Sequence, residues 1–195
     1  MSEMHSMIMS VDPGFGGTGI SIFVDGKLYD FANIKSSKKD TMRYIDISAQ
    51  CEQFIENAIE SLHRCVGYSH MDRIDILIES PHAMGGVKGY ASLTKGDVFK
   101  VAKLAGAIGV VLYDSVDHNY GGQFPTPKIK LHYPEVRVWK GQVPKETTKR
   151  RVLRDVQYFD DICEMQMTNQ LPSHIYDAIG IGLWFINKFA TGEVK

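Results

Sequence analysis

Three acidic residues stand at positions where an acidic side chain is unexpected. Asp12 ends a short apolar run, Glu79 ends the β-branched run IDILI, and Asp177 lies within the apolar stretch IYDAIGIGLWF. Burial of a carboxylate costs free energy unless a partner offsets its charge. Clustered carboxylates repel one another unless they are protonated or bridged by cations, and oxygen ligands suit Mg²⁺ and Mn²⁺. If the three side chains converge, they could bind two divalent ions and support hydrolysis of a phosphodiester.

Each acid also has a structural interpretation. Asp12 could cap a turn before Pro13, Glu79 could be paired with a structural partner, and Asp177 could oppose the dipole of a helix near its N-terminus. Convergence requires that the strands ending in Asp12 and Glu79 are parallel neighbours. The final helix must then cross the same edge of the sheet, where it would bring Asp177 and, three residues earlier on the same face, His174.

The first part of the chain has the pattern of a three-stranded antiparallel meander. Apolar and β-branched residues dominate 7–11, 20–24 and 27–34, and Asp25-Gly26 is a typical hairpin turn between the last two. The intervening GFGGTG matches the dinucleotide-binding pattern G-x-G-x-x-G. That pattern must open a helix, whereas a short β-branched run follows here, and no GKS or GKT sequence is present. The glycines therefore predict a tight turn, with phosphate contact by the hairpin as the alternative.

The remaining elements alternate between helices and strands. Apolar spacing of three and four predicts a helix at Thr41 to about Val66. Further helices are predicted at Ser92 to about Ile108, at Lys145 to about Tyr158, where the helix is basic, and at Ser173 to Phe189, where Ser173 after Pro172 is a natural N-cap. β-branched runs predict strands at 74–78 and 110–116, and a short strand is possible at 136–139. The Gly- and Pro-rich segment 117–135 is interpreted as an insertion or long loop. The order predicts an α/β fold with a mixed five-stranded sheet (three antiparallel strands, then parallel βα units) flanked by helices. This order is similar to that of the RNase H-like fold, a name that periodicity alone does not establish.

Composition limits the classes of protein. The 195 residues carry 22 Lys plus Arg against 23 Asp plus Glu, and 44% are hydrophobic. These values exclude a histone-like protein and a disordered chain, and we expect one domain over 1–195. No run approaches the roughly 18 to 20 apolar residues that span a bilayer. Three cysteines without a CxxC motif, and no basic leader, predict reduced thiols and a cytoplasmic protein.

Charge is unevenly distributed along the chain. Seven basic residues and one acidic residue lie between Arg137 and Arg154, so this basic segment carries +6 and the rest of the chain −7. A solvated helix face beside the acidic residues that follow is one interpretation. Contact with an anionic nucleic-acid backbone is the other, and the suspected metal-dependent site favours it.

These motifs together resemble the RuvC-like Holliday junction resolvases of the RNase H-like superfamily. The resemblance rests on SVDPGFGGTGIS, ILIES and SHIYDAIGIGLW, in that order. WKGQVPKETTKRRV is also similar to the basic segment of phage-encoded members, with Lys149 and Val152 at the Lys-x-x-Val positions. The similarity extends over most of the chain except the segment 117–135.

The resemblance implies a catalytic site and a reaction. Asp12, Glu79 and Asp177 would be metal-binding acids, and His174 would fill the fourth position, although it could instead be a helix N-terminal residue bonded to solvent or backbone. The implied enzyme is a homodimer that nicks two strands of a four-way DNA junction, with two Mg²⁺ ions per site that Mn²⁺ could replace, leaving 5′-phosphate and 3′-hydroxyl ends. Its location would be the cytoplasm of a bacterial cell, with a phage origin possible.

The resemblance also implies DNA contacts. Candidates in the basic segment are Lys140, Lys145, Lys149, Arg150 and Arg151. Members from bacteria place an aromatic residue soon after the catalytic glutamate, but this chain has His82 three positions later and Tyr90 eleven positions later. These two residues are therefore candidates for base contact, and the sequence preference of cleavage is left open.

Other functions fit parts of the pattern. A nuclease for flaps, other branched DNA or RNA–DNA hybrids would use the same acids, and a weakly catalytic binder of branched DNA is a further possibility. An actin-like ATP-binding domain also carries an Asp and glycines in its first hairpin. That fold normally needs two such domains, which 195 residues cannot supply.

Overall fold

The structure, a computed structural model, describes residues 5–66, 70–81, 96–123, 125–141, 143–159, 161–167 and 170–190. Its first three strands are β1 (Ser6–Asp12), β2 (Thr18–Val24) and β3 (Lys27–Ile34), each antiparallel to the next. Asp25 and Gly26 have φ angles of 49° and 79°, and positive φ at both central residues is typical of a type I′ turn. The predicted meander and its hairpin turn are confirmed.

Two further strands complete the sheet. β4 (Arg73–Ile78) pairs in parallel with β1, and β5 (Lys128–His132) pairs in parallel with β4, which gives the order β3-β2-β1-β4-β5. Parallel pairing of β1 and β4 is the relationship that convergence of the acids requires. The mixed five-stranded sheet is therefore confirmed, with the two acid-bearing strands adjacent at its centre.

Helices cover both faces of the sheet. They are α1 (Asp40–Ser61, followed by a π-helical turn at Leu62–Val66), α2 (Asp97–Tyr120), α3 (Val136–Trp139), α4 (Lys145–Asp155), α5 (Asp161–Gln166) and α6 (Ser173–Ala190). On one face, α1 and α2 bury apolar side chains against residues such as Met7 and Met9 of β1. On the other, α4 and α6 do so against Ile8 and Phe23. Alternation of neighbouring β1 residues between the two cores follows from the two-residue period of a strand.

The prediction of a strand at 110–116 is wrong, because these residues belong to α2. Leu104, Ile108, Leu112, Val116 and Tyr120 are all buried. Their spacing of four continues the helical stripe through the β-branched run. Tertiary burial of this stripe outweighs the weak preference of β-branched residues for strands.

The interpretation of 117–135 as an insertion or long loop is also wrong in large part. α2 extends to Tyr120, and the fifth strand of the sheet is Lys128–His132. This strand lies at the edge of the sheet and alternates exposed and half-buried residues, so it lacks the continuous apolar run of a central strand. The suggested strand at 136–139 is a short helix instead.

The described part of the predicted helix at 92–108 is helical from Asp97 onward, and 92–95 lie outside the described residues. Cys51 and Cys163 are buried free thiols. Among the described residues, no helix has both the length and the apolar character needed to cross a membrane.

Candidate active site

Asp12 and Glu79 meet at the carboxyl edge of the two central strands. Val11 of β1 is opposite Ile78 of β4, and the Glu79 N–H donates to the Val11 carbonyl over 2.9 Å. Each acid is the next residue after this pair, so the parallel register brings both carboxyl groups to the same edge. Asp12 is buried, with 7% of its surface exposed. The sequence-based prediction that these strands are parallel neighbours is confirmed.

The N-terminal turn of α6 lies directly against the start of β2. A Cβ atom at Gly19 would be 1.9 Å from the carbonyl oxygen of His174, so only glycine permits this approach. His174 Nδ1 is hydrogen-bonded to Asp12 Oδ2 over 2.5 Å. This hydrogen bond is the main reason why the pKa of His174 is raised, and the charge of Asp12 adds to it. The structure thus brings His174 to the first acid.

Glu79 has the most strongly perturbed carboxyl group of the site. Burial raises its pKa from 4.5 to about 8, and the negative charges of Asp12 and Asp177 contribute to the increase. Trp139 Nε1 donates a hydrogen bond to Glu79 Oε2 over 2.9 Å, which lowers the pKa in part. Glu79 therefore lacks enough positive charge nearby to hold it ionised at neutral pH.

Asp177 reaches the same cluster from α6 and forms an ion pair with Lys140. Burial raises the pKa of Asp177, and the hydrogen bond and charge of Lys140 act in the opposite direction. Lys140 also lowers the pKa of Glu79. This ammonium group is thus the main positive charge that the chain itself provides to the acids.

The four candidate catalytic residues are therefore neighbours in one cluster, linked by hydrogen bonds and by mutual charge effects. Lys140, Trp139 and His174 engage the three carboxyl groups. Within the described ranges, no group of three or more His, Cys, Asp or Glu side chains has the arrangement that would hold a metal ion as it stands.

The candidate DNA-binding residues lie in different surroundings. Lys140 is largely buried in the cluster, whereas Arg150 and Arg151 are exposed on α4. Lys145 Nζ is 3.5 Å from Ser173 Oγ, and Lys149 Nζ is 5.4 Å from the centre of the Tyr176 ring.

A small cavity of about 110 Å³ connects α4 to the cluster. It is lined by Lys145, Lys149 and Asp177, among others. The N-terminal half of α4 is thus next to the third acid. His82 and Tyr90 lie outside the described residues.

Sequence reasoning missed the role of Trp139 and the ion pair of Lys140. The dipeptide Trp-Lys within the basic segment was the available signal, because a partly buried indole N–H normally needs an acceptor. The identity of that acceptor depends on where α3 packs. A helix of four residues has no periodic apolar pattern from which its packing position could be predicted.

No family model matches the sequence, and no curated protein is similar to it. Among solved structures, RuvC of Thermus thermophilus is similar at 14% identity, with 95% of this chain and 96% of that chain covered and a TM-score of 0.52. A structure of T. thermophilus RuvC in complex with Holliday junction substrate is similar at 14% identity, with 97% of each chain covered and a TM-score of 0.53. Over almost its whole length, the chain therefore has the RNase H-like fold of the RuvC structures.

Proposed function

We propose that this protein is a divalent-metal-dependent endonuclease that resolves four-way DNA junctions by paired nicks. The observation that carries the proposal is the convergence of Asp12, Glu79, Asp177 and His174 at the carboxyl edge of two parallel central strands. The RuvC-like fold over almost the full chain supports it. We extend the proposal to one nuclease domain over 1–195 that acts as a homodimer, because one cluster can cut only one strand at a time.

The donor set fits divalent cations in chemistry and in charge. Three carboxyl groups and one imidazole are ligands that Mg²⁺ or Mn²⁺ accepts. Burial is the largest cause of the high pKa of Glu79, and the negative charges of Asp12 and Asp177 add to it, so a cation bound there would favour the ionised form of Glu79. Asp12, Glu79, Asp177 and His174 would hold the ions. When bound, a pair of such ions activates water and stabilises the leaving oxygen of a phosphodiester, giving 5′-phosphate and 3′-hydroxyl ends.

The residues of the chain have separate tasks in this proposal. His174 holds the Asp12 carboxylate in one orientation through the bond between Nδ1 and Oδ2. Trp139 orients Glu79 and favours its ionised form. Lys140 offsets the charge of Asp177 and, if a cation held that carboxylate instead, would be available to a DNA phosphate.

The basic segment would hold the DNA strand beside the carboxyl groups. Lys145 and Lys149 line the cavity that adjoins Asp177, and Arg150 and Arg151 extend the positive surface along α4. Charges of this kind bind the backbone without reading sequence. We keep His82 and Tyr90 as proposed base contacts.

The experiment that tests the proposal offers the protein equal amounts of four-way junction, flap, RNA–DNA hybrid and linear duplex, each with Mg²⁺, Mn²⁺ or EDTA. Symmetric paired nicks confined to the junction, and absent in EDTA, are the expected result. If the protein cut flaps or RNA–DNA hybrids in preference to junctions, the proposed substrate would be wrong, whereas the proposed metal-dependent hydrolysis would stand. ATP hydrolysis without cleavage of any nucleic acid would contradict the proposal and favour an actin-like domain.

A further inference from the structure

Both tryptophans of the chain line one groove between α3, α4 and α6. The indoles of Trp139 and Trp184 are half-buried, and the groove has a volume of about 300 Å³. Val143 and Leu183 add apolar surface to its walls. Sites for small organic groups are concave, are lined mainly by apolar and aromatic side chains, and have volumes from roughly 300 Å³ upward. The groove therefore has the size and the walls of a site for one planar group.

The groove adjoins the carboxylate cluster. The Trp139 indole donates through Nε1 to Glu79 Oε2, and a Cβ atom at Gly180 would be 3.0 Å from Cζ3 of the same ring. Asp177, Gly180 and Trp184 follow one another at spacings of three and four residues, so they share one face of α6. The distance from Asp177 to Trp184 along the helix is about 10 Å, which equals about three nucleotide steps of stacked DNA. A strand bound at the acids could therefore place a base in the groove within about three nucleotides of the cut.

The charges around the groove favour an anionic ligand. Among the described lining residues, three are basic and one is acidic, namely Lys140, Arg151, Arg154 and Asp155. Asp155 is already paired with Arg154 over 2.5 Å. Arg151 is exposed on α4, so its guanidinium group is accessible to a phosphate. Aromatic side chains within a positively charged groove are the combination by which proteins bind single-stranded nucleic acid.

Two polar side chains also line the groove. Thr148 is 6% exposed, and its Oγ1 is buried without a hydrogen-bond partner among the residues that the structure describes. A buried hydroxyl normally has a partner, because its desolvation otherwise costs free energy. Asn187 is exposed and offers an amide group. The edge of a nucleobase carries both donors and acceptors for such groups, whereas an apolar side chain of a protein partner carries none.

We propose that this groove holds one unpaired nucleobase of the DNA strand that is cut, stacked against the indole of Trp184. The inference rests on the proposed function, since it adds a base contact next to the proposed cut. Every base has a π face, so the groove would recognise an unstacked base rather than a particular sequence. A strand offers such a base most cheaply where its pairing is already disturbed, as at a branch point. The bound base would also hold Trp139 in the position from which it donates to Glu79.

The first test uses the wild-type chain in EDTA, so it depends neither on a metal nor on the folding of a variant. Tryptophan emission is titrated with oligo(dT) of eight nucleotides, and it reports on the groove because both tryptophans line it. An abasic strand with the same number of phosphates competes for binding. We expect oligo(dT) to quench the emission and to bind at least fivefold more tightly than the abasic strand. Equal affinities, or unchanged emission, would overturn the inference.

Free thymidine monophosphate separates the two sources of a nucleobase. It carries the base without neighbouring phosphates, so it should bind at least tenfold more weakly than oligo(dT), whose phosphates also contact the basic residues of α4. Equal affinity would make a free nucleotide the occupant and would contradict the assignment to a DNA strand.

A variant tests the stacking residue. Trp184→Leu keeps an apolar side chain and should bind oligo(dT) and the abasic strand with affinities within about twofold of each other, as measured by the anisotropy of labelled strands. Tyr113→Leu is the matched control, because Tyr113 is an exposed aromatic residue of α2, on the opposite face of the sheet. Circular dichroism checks that both variants fold. A folded Trp184→Leu that keeps the wild-type preference, or a Tyr113→Leu that loses it, would show that stacking does not occur in this groove.

Cleavage links the groove to the proposed function. Four-way junctions with one abasic site at each position up to three nucleotides from the cut are incubated with Mg²⁺. We expect one position at which the abasic site slows cleavage at least fivefold in the wild type and less than twofold in Trp184→Leu. Equal cleavage of all these junctions by the wild type would overturn the inference. If no junction is cut but oligo(dT) binds as expected in EDTA, the proposed function fails and the assignment of the groove stands.

Discussion

Lys140 and Asp177 form an ion pair inside the carboxylate cluster, with only 10% and 12% of their side chains exposed. The lysine thus lies among the groups that we propose to bind cations, although the basic segment from which it comes predicts contact with DNA. Its position gives the protein without cations an internal positive charge beside Asp177 and Glu79. A cation must compete with this charge.

Lys140→Gln should bind Mn²⁺ about three- to tenfold more tightly than the wild type, because removal of a neighbouring ammonium group makes the potential at the carboxylates more negative. Isothermal titration calorimetry at pH 8 measures the change. Lys149→Gln is the control, since Lys149 lies over the Tyr176 ring and should affect the Mn²⁺ affinity far less. Unchanged or weaker binding by Lys140→Gln would contradict competition between the lysine and the cation.

Glu79 should make the metal-free protein less stable as the pH rises. The folded state holds the Glu79 proton up to a pKa of about 8, whereas the ordinary value is 4.5. Folding therefore favours the protonated form, and the free energy of unfolding falls as the pH increases between these values. Glu79→Gln removes this dependence and keeps an oxygen that can accept from Trp139. In EDTA at pH 8.5, it should be more stable than the wild type by about 2–4 kcal/mol.

Urea unfolding between pH 5 and pH 8.5 tests this prediction. Glu56→Gln, on the exposed face of α1, makes the same chemical change away from the cluster and should follow the wild type at every pH. If the free energies of unfolding of Glu79→Gln and the wild type changed with pH in the same way, this would show that Glu79 is ionised normally in the folded protein.

Trp139→Phe should shift cleavage to higher pH. The indole N–H donates to Glu79 and lowers the pKa of its carboxyl group, so loss of the donor makes that carboxyl group harder to ionise. The acid limb of the pH–rate profile should therefore move upward, and the free energy of unfolding should fall by about 1–2 kcal/mol. A lower rate with the acid limb in its original place would mean that Trp139 acts only through packing.

Gly19→Ala should disturb the site through the backbone. The new methyl group would be 1.9 Å from the carbonyl oxygen of His174, so the N-terminus of α6 must move away from β2. We expect a loss of about 1–3 kcal/mol in stability and a large loss of cleavage, because His174 and Asp177 move together. Gly16→Ala is the matched control, as its methyl group meets no atom within 4 Å. Equal activity of the two variants would contradict the close contact.

The sequence predicts the centre of this fold better than its edge. Asp25-Gly26 and the continuous apolar runs of β1 and β4 carry local signals for turn and strand, so their placement is correct. Val110 to Val116 has strand-like composition, yet the four-residue spacing that begins at Leu104 continues through it in the folded helix. β5 was missed because an edge strand of five residues among prolines has almost no apolar pattern.

The candidate site could likewise be predicted from the sequence only in part. Asp12 and Glu79 could be placed together because the register of parallel strands fixes their distance along the edge. The contacts of Trp139 and Lys140 could not be predicted, since they depend on how a four-residue helix packs near α6. Sequence spacing therefore predicts the positions of residues in the longer strands and helices. The positions of residues in the short segments between these elements depend on tertiary packing.

The most direct test of the central claim compares Asp12→Asn with the wild type on a four-way junction in Mg²⁺, with binding measured in parallel. Asparagine keeps the size of the side chain and removes its charge, and Glu56→Gln again controls for loss of a carboxylate elsewhere. The account predicts symmetric nicks by the wild type and Glu56→Gln, and at least a thousandfold slower cleavage by Asp12→Asn, with junction affinity within about threefold of the wild type. Magnesium-dependent cleavage by Asp12→Asn at a rate close to that of the wild type would contradict it.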